Sequence, residues 1–289
     1  MTPFAAIMLA AVTPLVKSPY LSAAAANADS GRIIMAENAE ARCYPASCTK
    51  LMTLLLTLEA AEKGAVSYGD IVPTTNLSEK ERPSRVNFLH PSGMSLNDLL
   101  KVLMVKSANN GAVMLAEFVA SRLHPEATNS VARLAAFVAD MNARAAEIGM
   151  KDTLFTSPNG YPPGPSSKRE FDRSTALDMV KLGCEVLKHP KALEYTSLET
   201  CTVRETNGNK PHSFQTHNNL LLSSSQFKLK GVDGLKTGYH ATGGFSLVLT
   251  ATNSVGKRAI VAVMGSPSKD DRDSAAYRFM VDALKSLEF

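Results

Sequence analysis

The 289-residue sequence contains no Trp, and aromatic residues make up only 6% of it. Platforms that stack nucleotide bases or sugars are built from such side chains, so their scarcity argues against binding of that kind. An excess of one charge sign is also absent, because 31 Lys and Arg residues stand against 27 Asp and Glu residues without long runs of either sign. The net charge of +4 is too small and diffuse to predict a nucleic-acid partner.

Cysteine is scarce as well, with four residues and no spacing typical of a metal site or a dense disulfide framework. The residues therefore predict neither a metal nor a cofactor. The chain does have 45% hydrophobic residues over a length that can bury a large core. These features predict a globular protein that needs no metal or disulfide for its stability.

An apolar run, FAAIMLAAVTPLV, extends from Phe4 to Val16. It is shorter than the roughly 20 residues that span a bilayer, but its length is typical of the hydrophobic region of a secretory signal. The residues before it lack the usual Lys or Arg, so a terminal helix packed on the protein, or a start site further upstream, stays an alternative. We predict that residues 1–18 direct export and that the protein is periplasmic or otherwise extracytoplasmic.

Hydrophobic periodicity and turn residues divide residues 19–289 into the elements of one predicted domain. The predicted strands are Ser22–Ala28, Arg32–Ala36, Cys201–Thr206, Phe214–Leu221, Gly234–Tyr239, Phe245–Thr252 and Arg258–Met264. The predicted helices are Thr49–Lys63, Leu96–Val105, Asn109–Leu123, Val131–Ile148, Ser174–Lys188 and Arg272–Leu287. The first of these helices is apolar around most of its circumference, which predicts burial on nearly all sides. A mostly helical block at about 64–190 separates the first strands from the last, which predicts an α+β fold with two lobes and a cleft.

The first candidate site is Ser47-Cys48-Thr49-Lys50, at the start of a predicted helix. Ser47 and Lys50 are three residues apart and share one helix face, so the amine can reach the hydroxyl. Serine is a weak nucleophile unless a base takes its proton, and lysine acts as that base only if burial or nearby positive charge lowers its pKa. S-x-x-K also occurs at Ser225–Lys228 and Ser266–Lys269, so the motif alone favours an ordinary helix cap.

Two further candidates have the same ambiguity. Ser107-Ala108-Asn109 places a hydroxyl and a carboxamide in a break between helices, where they can relay a proton and bind an amide. The same spacing recurs at Ser95–Asn97 and Ser157–Asn159. Lys236-Thr237-Gly238 occurs once, in a strand-like run where Lys and Thr can bind a carboxylate and Gly238 can admit a substrate backbone as an added strand. Taken alone, it is also typical of an edge strand with a solvated lysine.

In this order, the three motifs resemble those of the penicillin-recognising serine enzymes. Longer runs are similar to the serine D-alanyl-D-alanine carboxypeptidases, the low-molecular-mass penicillin-binding proteins: Pro45–Thr53, Met141–Phe155, Ser174–Met179, His217–Leu221 and Asp233–Tyr239. The similarity extends from about Leu21 to the end of the chain. It implies a β-lactamase/transpeptidase-like fold, in which an antiparallel sheet flanked by helices adjoins an all-helical lobe.

The resemblance also implies an activity without a cofactor. The enzyme would remove the terminal D-alanine from a peptidoglycan stem peptide ending in D-Ala-D-Ala, through an acyl-enzyme, and β-lactams would be covalent inhibitors. The implied catalytic residues are Ser47 as nucleophile, Lys50 as general base, Ser107 as proton relay and Asn109 as the group that orients Lys50 or the substrate amide. The implied substrate-binding residues are Lys236, Thr237, Gly238, Tyr239 and Arg272, and the N–H groups of Ser47 and Tyr239 would form the oxyanion hole. Positive charge at Lys236 would lower the pKa of Lys50.

Other functions remain open. A D,D-endopeptidase or a transpeptidase would use the same residues on a cross-linked substrate or with another acceptor. A β-lactamase would share the motifs, but the commonest class removes the acyl group with a glutamate on a loop before the K-T-G motif. The region Asp152–Asp178 has no convincing E-x-x-x-N element that would supply it. A non-catalytic penicillin or peptidoglycan sensor is the remaining alternative, and the presence of all the implied catalytic residues argues against it.

Three features depart from the family pattern. Cys48 stands where a small or aliphatic residue is expected, so it either packs or makes the site sensitive to thiol reagents. His240 is interpreted as a residue at the lip of the cleft rather than as an acid or base. Many family members add a β-rich domain and an amphipathic membrane anchor at the C-terminus, and the sequence shows neither.

Overall fold

The computed structural model describes residues 18–164, 167–208 and 210–288. The strands are β1 Ser22–Asn27, β2 Ile33–Glu37, β3 Ile71–Pro73, β4 Gly93–Ser95, β5 Thr200–Val203, β6 His212–Gln215, β7 Val232–His240, β8 Gly244–Thr252 and β9 Arg258–Ser266. The helices are α1 Lys50–Glu62, α2 Leu96–Val105, α3 Asn109–Leu123, α4 Ser130–Ile148, α5 Ala176–Leu187, α6 Lys191–Thr196 and α7 Lys269–Lys285. Short 3-10 helices lie at Ala46–Thr49 and Ser78–Lys80.

Five strands form an antiparallel sheet in the order β2-β1-β9-β8-β7. Successive side chains of the central strands point to opposite faces of the sheet, and they are apolar on both faces, so each face has its own core. On β1, Ala23 and Ala25 face a core shared with α7, whereas Ala24 and Ala26 face a core shared with α1 and α5. The sheet is therefore covered by helices on both sides, as the expected fold class requires.

Helix α1 occupies the centre of the larger core. Its residues from Lys50 to Leu58 are all buried, and the apolar ones among them belong to the same cluster as one sheet face and as α2, α3 and α5. A helix that is surrounded in this way needs apolar residues around its whole circumference, which explains the run KLMTLLLTLEAAE. The prediction of a helix buried on nearly all sides is confirmed.

The boundaries of several helices follow from capping. Ser95 accepts a hydrogen bond from Asp98 N at the start of α2, which has the bounds predicted for this helix, and Gly149 ends α4 with a φ of 80°. The closing helix α7 begins three residues before the predicted Arg272, because Ser268 caps it by accepting from Asp271 N.

Two expectations about the region outside the large sheet need correction. The predicted strand Phe214–Leu221 is confirmed only at Phe214 and Gln215, because β6 ends at Gln215 and Asn218 then bonds the backbone of the following residues in a turn. Helix α5 lies inside the block predicted as a helical lobe, yet it packs on β1 and β9. Gly183 allows this close packing, because a Cβ there would meet the side chain of Ile260.

The predicted export segment lies almost wholly outside the described residues, which begin at Ser18. Between Ser18 and Glu288, leaving aside residues 165, 166 and 209, no helix combines the length and apolarity needed to cross a membrane.

The central position of α1 generates a stability prediction. We expect Leu55→Ala to lower the free energy of unfolding by about 2–5 kcal/mol, because Leu55 is fully buried and its truncation leaves a cavity. The matched change Leu89→Ala, at a side chain that is 51% exposed, should alter it by less than about 0.5 kcal/mol. Urea unfolding of the two variants measures both effects, and equal losses would contradict the central role of α1.

Candidate active site

The predicted nucleophile lies in the 3-10 helix Ala46–Thr49, which leads directly into α1. Lys50 is the first residue of α1, so it follows Ser47 by one helical turn. Strand β7 packs tightly against this segment, because a Cβ at Gly238 would lie 2.6 Å from Pro45 O and 3.1 Å from Cys48 Sγ. The absence of a side chain at Gly238 thus lets the strand lie close to the serine helix. The sequence predicts a different role for this glycine, namely to admit a substrate backbone.

The Lys50 amine is surrounded by three oxygen atoms. Its Nζ lies 2.8 Å from Ser47 Oγ, from Asn109 Oδ1 and from the Asn159 carbonyl oxygen. A neutral amine has two N–H donors and one lone pair. The two oxygens that cannot donate, from Asn109 and Asn159, accept the N–H groups, so the lone pair is left for the Ser47 hydroxyl proton. The arrangement suits a base that removes this proton.

The electrostatic surroundings favour the neutral form of this amine. Burial of Lys50, which is 0% exposed, lowers its pKa well below the usual value, and the nearby Lys236 ammonium lowers it further. The carboxylates of Glu81 and Asp172 act in the opposite direction with smaller effect. The lysine therefore has the depressed pKa that a serine-activating base needs.

A loop that sequence reasoning did not select supplies one of the three oxygens. Asn159 was interpreted only as part of a chance recurrence of S-x-N, yet its backbone carbonyl contacts Lys50. Thr53 of α1 donates to Pro158 O, and buried Asp172 accepts from the N–H and hydroxyl of Ser157. The sequence signal was weak, because only the Ser-Pro-Asn-Gly run marked a turn here.

A second segment, residues 81–84, holds the serine-asparagine motif. The side-chain amide of Asn109 donates to Pro83 O, which turns its oxygen towards Lys50, and the Asn109 N–H donates to Ser84 O. The Ser84 hydroxyl lies 3.3 Å from the carbonyl oxygens of Lys106 and Ser107. Ser107 is buried with a φ of 61°, a left-handed conformation that a non-glycine residue adopts at a cost. Within the described part of the chain, its hydroxyl has no hydrogen bond to Ser47 or Lys50.

The lysine-threonine-glycine motif lies in β7, the edge strand of the five-stranded sheet. Among the described residues β7 pairs only with β8, so no strand covers its other edge there. Lys236 and Thr237 are both buried, and the Lys236 amine donates to Thr237 O. Burial lowers the pKa of Lys236 to about 8, and the charge of Arg272 contributes to this shift.

Arg272 lies in α7 and is committed to an internal ion pair. Its guanidinium is 3% exposed and donates through Nε and Nη2 to Asp273 Oδ1, at 2.8 and 2.5 Å. Asn219 donates to the other oxygen of the same carboxylate. Two of the five N–H donors of the guanidinium are thus committed to Asp273, and its charge, together with burial, lowers the pKa of Lys236.

Two aromatic residues follow the motif in β7. Tyr239 is 58% exposed and packs against Phe245, with ring centroids 4.5 Å apart. The His240 ring stacks on Tyr44, and its Nδ1 accepts from two backbone N–H groups. Burial lowers the pKa of His240 below its usual value. A neutral ring held in this way supports the interpretation that His240 is not the acid or base.

Cys48 is packed beneath the same strand. Its thiol is fully buried and lies 3.4 Å from Lys236 O, to which it donates a hydrogen bond. Burial raises the pKa of Cys48 to about 11, so the thiol is neutral at ordinary pH. Of the two interpretations, packing therefore fits better than a reactive thiol.

The family model described as D-alanyl-D-alanine carboxypeptidase matches residues 15–268. The chain belongs to this family. Over 262 residues it is 31% identical to D-alanyl-D-alanine carboxypeptidase DacF of Bacillus subtilis, covering 90% of this chain and 61% of the relative. It is also 31% identical to DacA of Haemophilus influenzae, covering 90% of this chain and 60% of the relative. The chain thus spans about 60% of the length of these two relatives.

Solved structures from several bacteria have the same fold. The D-alanyl-D-alanine carboxypeptidase DacD of Francisella tularensis superposes with a TM-score of 0.77 at 23% identity, covering 91% of this chain and 69% of that one. A Listeria monocytogenes penicillin-binding protein in its cefotaxime-bound form gives a TM-score of 0.74 at 28% identity, covering 94% of this chain and 99% of that one. A mutant DD-transpeptidase of Streptomyces gives 0.80 at 22% identity, covering 93% and 99%. The expected fold class is confirmed.

The tight contact of the Asn159 loop with the serine helix generates the next prediction. A Cβ at Gly160 would collide with the Ala46 backbone carbonyl, and the φ of 73° disfavours any side chain. We expect Gly160→Ala to cost about 1–3 kcal/mol from the left-handed conformation alone and to slow acylation of Ser47, because the Asn159 carbonyl must move away from Lys50.

Unfolding by urea and the labelling rate with a fluorescent penicillin measure these effects. Gly69→Ala is the matched control, because an added Cβ there has no neighbour within 4 Å and its φ is ordinary. A Gly160→Ala protein as stable and as readily labelled as this control would contradict the assigned contact.

Proposed function

We propose that the protein is a serine-type D-Ala-D-Ala carboxypeptidase that removes the terminal D-alanine from peptidoglycan stem peptides and is inhibited by β-lactams. The observation that carries the proposal is the buried Lys50 amine, whose pKa is depressed and whose third partner is the Ser47 hydroxyl. Family membership and the names of the relatives support the same activity. Because the chain spans only part of those relatives, the activity and its substrate are proposed here from the site.

Acylation follows from the arrangement of the two residues. Lys50 takes the Ser47 proton as Oγ attacks the carbonyl carbon between the two D-alanines, which forms the ester bond. The C–N bond then breaks, and the departing D-alanine amine takes a proton that Lys50 releases, with Ser107 as the proposed relay. Asn109 keeps the amine aligned through the oxygen that it presents to Lys50. Water then hydrolyses the ester, and Ser47 recovers its proton.

Substrate binding is proposed at the free edge of β7. A peptide that lies along this edge as an added strand would place its terminal carboxylate at Lys236 and Thr237. Arg272 would add positive charge from behind, since its guanidinium is already paired with Asp273. The N–H groups of Ser47 and Tyr239 are the proposed oxyanion hole, which would stabilise the negative charge of the tetrahedral intermediate.

The compartment is part of the proposal. Peptidoglycan is assembled outside the cytoplasmic membrane, so the proposed substrate requires export, and the apolar run Phe4–Val16 provides the candidate signal. A periplasmic or other extracytoplasmic location is therefore proposed together with the activity. Recognition of β-lactams is supported by the cefotaxime-bound Listeria relative.

Release of D-alanine from a pentapeptide ending in D-Ala-D-Ala tests the activity. We expect Ser47→Ala to reduce release on the order of 10³-fold or more, because it removes the attacking oxygen. Mass spectrometry after penicillin treatment should place the adduct on Ser47. Ser225→Ala is the matched control, since Ser225 also precedes a lysine by three residues, and it should keep both properties.

The same assay separates the alternatives. A wild type that neither releases D-alanine nor forms an adduct would overturn the proposal. A stable adduct without release would indicate a sensor, transfer to an added amine in preference to water would indicate a transpeptidase, and rapid penicillin hydrolysis would indicate a β-lactamase.

A pH dependence follows from the two lysines. The value of kcat/KM should rise with pH as Lys50 loses its proton, then fall above about pH 8 as Lys236 loses the charge that binds the carboxylate. Lys236→Arg should move the alkaline fall to higher pH, because a guanidinium keeps its charge. The exposed Lys230→Arg is the control and should give the wild-type profile. An alkaline limb at the same pH in all three proteins would show that Lys236 does not cause it.

A further inference from the structure

Glu81 stands directly behind the Asn159 loop. Its Oε2 accepts a hydrogen bond of 2.7 Å from the Asn159 side-chain amide, while the Asn159 backbone carbonyl accepts from Lys50. The side-chain oxygen of Asn159 is occupied by the Tyr161 N–H. One residue thus faces Lys50 with its backbone and Glu81 with its side chain, and rotation of its amide is blocked from both ends.

The contact belongs to a short continuous segment, residues 81–84, which also holds Asn109. Residues 81–84 bond Asn159 through Glu81, and they bond Asn109 through the carbonyl oxygens of Pro83 and Ser84. Asn109 and Asn159 provide both oxygens that contact Lys50 besides that of Ser47. Segment 81–84 therefore holds the two asparagines whose oxygens contact the Lys50 amine, although it has no hydrogen bond to that amine among the described residues.

We propose that Glu81 is a positioning residue for Lys50: its carboxylate holds Asn159 so that the Asn159 carbonyl stays on the amine, and its negative charge opposes the effect of Lys236 on that amine. The proposal rests on the function proposed above, since it assigns Glu81 to the base of that reaction. Glu81 itself does not contact the reacting atoms.

The charges around Lys50 define what Glu81 adds. Lys236 on β7 disfavours the Lys50 ammonium, whereas Glu81 and Asp172 favour it. The Cys48 thiol on the serine helix is neutral, because burial raises its pKa to about 11. Asp172 is buried, which raises its pKa, and its hydrogen bonds from Thr156 and Ser157 offset part of that rise.

Opposing influences act on the pKa of Glu81. Burial raises the pKa of Glu81, while the Asn159 hydrogen bond and the charges of Arg169 and Lys50 lower it. The two groups therefore stabilise each other's charged forms. Loss of the Glu81 charge must lower the pKa of Lys50, because the ammonium then loses a favourable partner.

The test uses Glu81→Gln, which keeps an oxygen acceptor for Asn159 and removes the charge. The rate of Ser47 acylation by a fluorescent penicillin is measured against pH. We expect the acid limb of the profile to move to lower pH, with a plateau rate within a few-fold of the wild type. Glu81→Ala removes the acceptor as well, so it should show the same shift together with a plateau roughly tenfold lower.

Two controls separate positioning from general stabilisation of the loop. Glu79→Gln changes a carboxylate two residues earlier that pairs with Arg85 rather than with Asn159, so its profile should match the wild type. Combining Glu81→Ala with Asn159→Ala should lower the plateau rate of acylation no further than the stronger single change, because each change removes the same hydrogen bond between Glu81 and Asn159. Additive losses, or a Glu81→Gln profile that superimposes on the wild type, would overturn the assignment.

A direct readout keeps this test independent of activity. In protein labelled with ¹³C at lysine Cε, the NMR titration of Lys50 should move to lower pH in Glu81→Gln, whether or not the enzyme turns over. A wild type that is not acylated would contradict the proposed function, whereas an unchanged Lys50 titration would contradict only the role of Glu81. Thermal melting of each variant verifies that it is folded.

Discussion

The burial of one amine is the constraint on which the active centre depends. Lys50 is removed from water, so each polar position of its Nζ needs a partner, and an unmade hydrogen bond in such a place is costly. The partners come from the preceding turn, from α3 and from the loop that contains Asn159. None of these is held by the amine alone, because Thr53, Asp172 and residues 81–84 fix the loop and the helix start from outside. The chemistry of one serine thus depends on the packing of at least four segments.

The sheet contributes to the same centre through close approach rather than through direct bonds to the amine. Strand β7 reaches the serine helix because Gly238 has no side chain, and the Cys48 thiol bonds the Lys236 carbonyl at that point. This contact sets the separation of two buried amines on different elements. Burial is the main cause of the lowered pKa of Lys50, and the charge of Lys236 lowers it further. A larger residue at Gly238 would change this separation, so the glycine serves the electrostatics of the site as well as its packing.

Local interactions made much of the fold and of the site predictable from the sequence. The Ser47–Lys50 pair, the cap at Ser95 and the end of α4 at Gly149 each depend on neighbours within one turn. Asn159 and Glu81 depend on contacts between positions 109 and 78 residues apart, which no local pattern encodes. The same reason explains why the predicted strand Phe214–Leu221 is mostly wrong. Its apolar residues Leu220 and Leu221 pack in the core beside α7 instead of pairing with another strand. The short helix α6 was missed because its six residues carry little periodicity.

The distribution of cations gives the site its final property. Arg272 is paired directly with Asp273. Lys50 and Lys236 have no carboxylate oxygen at ion-pair distance within the described ranges, and the pKa of each is lowered by burial. The two lysines differ in their partners, however, because Lys50 is enclosed by three oxygens whereas Lys236 bonds one backbone carbonyl at the free strand. The charge on Lys236 disfavours the Lys50 ammonium and, in the proposed complex, would also attract the substrate carboxylate. Since a bound carboxylate would offset part of that charge, the neutral form of Lys50 then depends mainly on its burial.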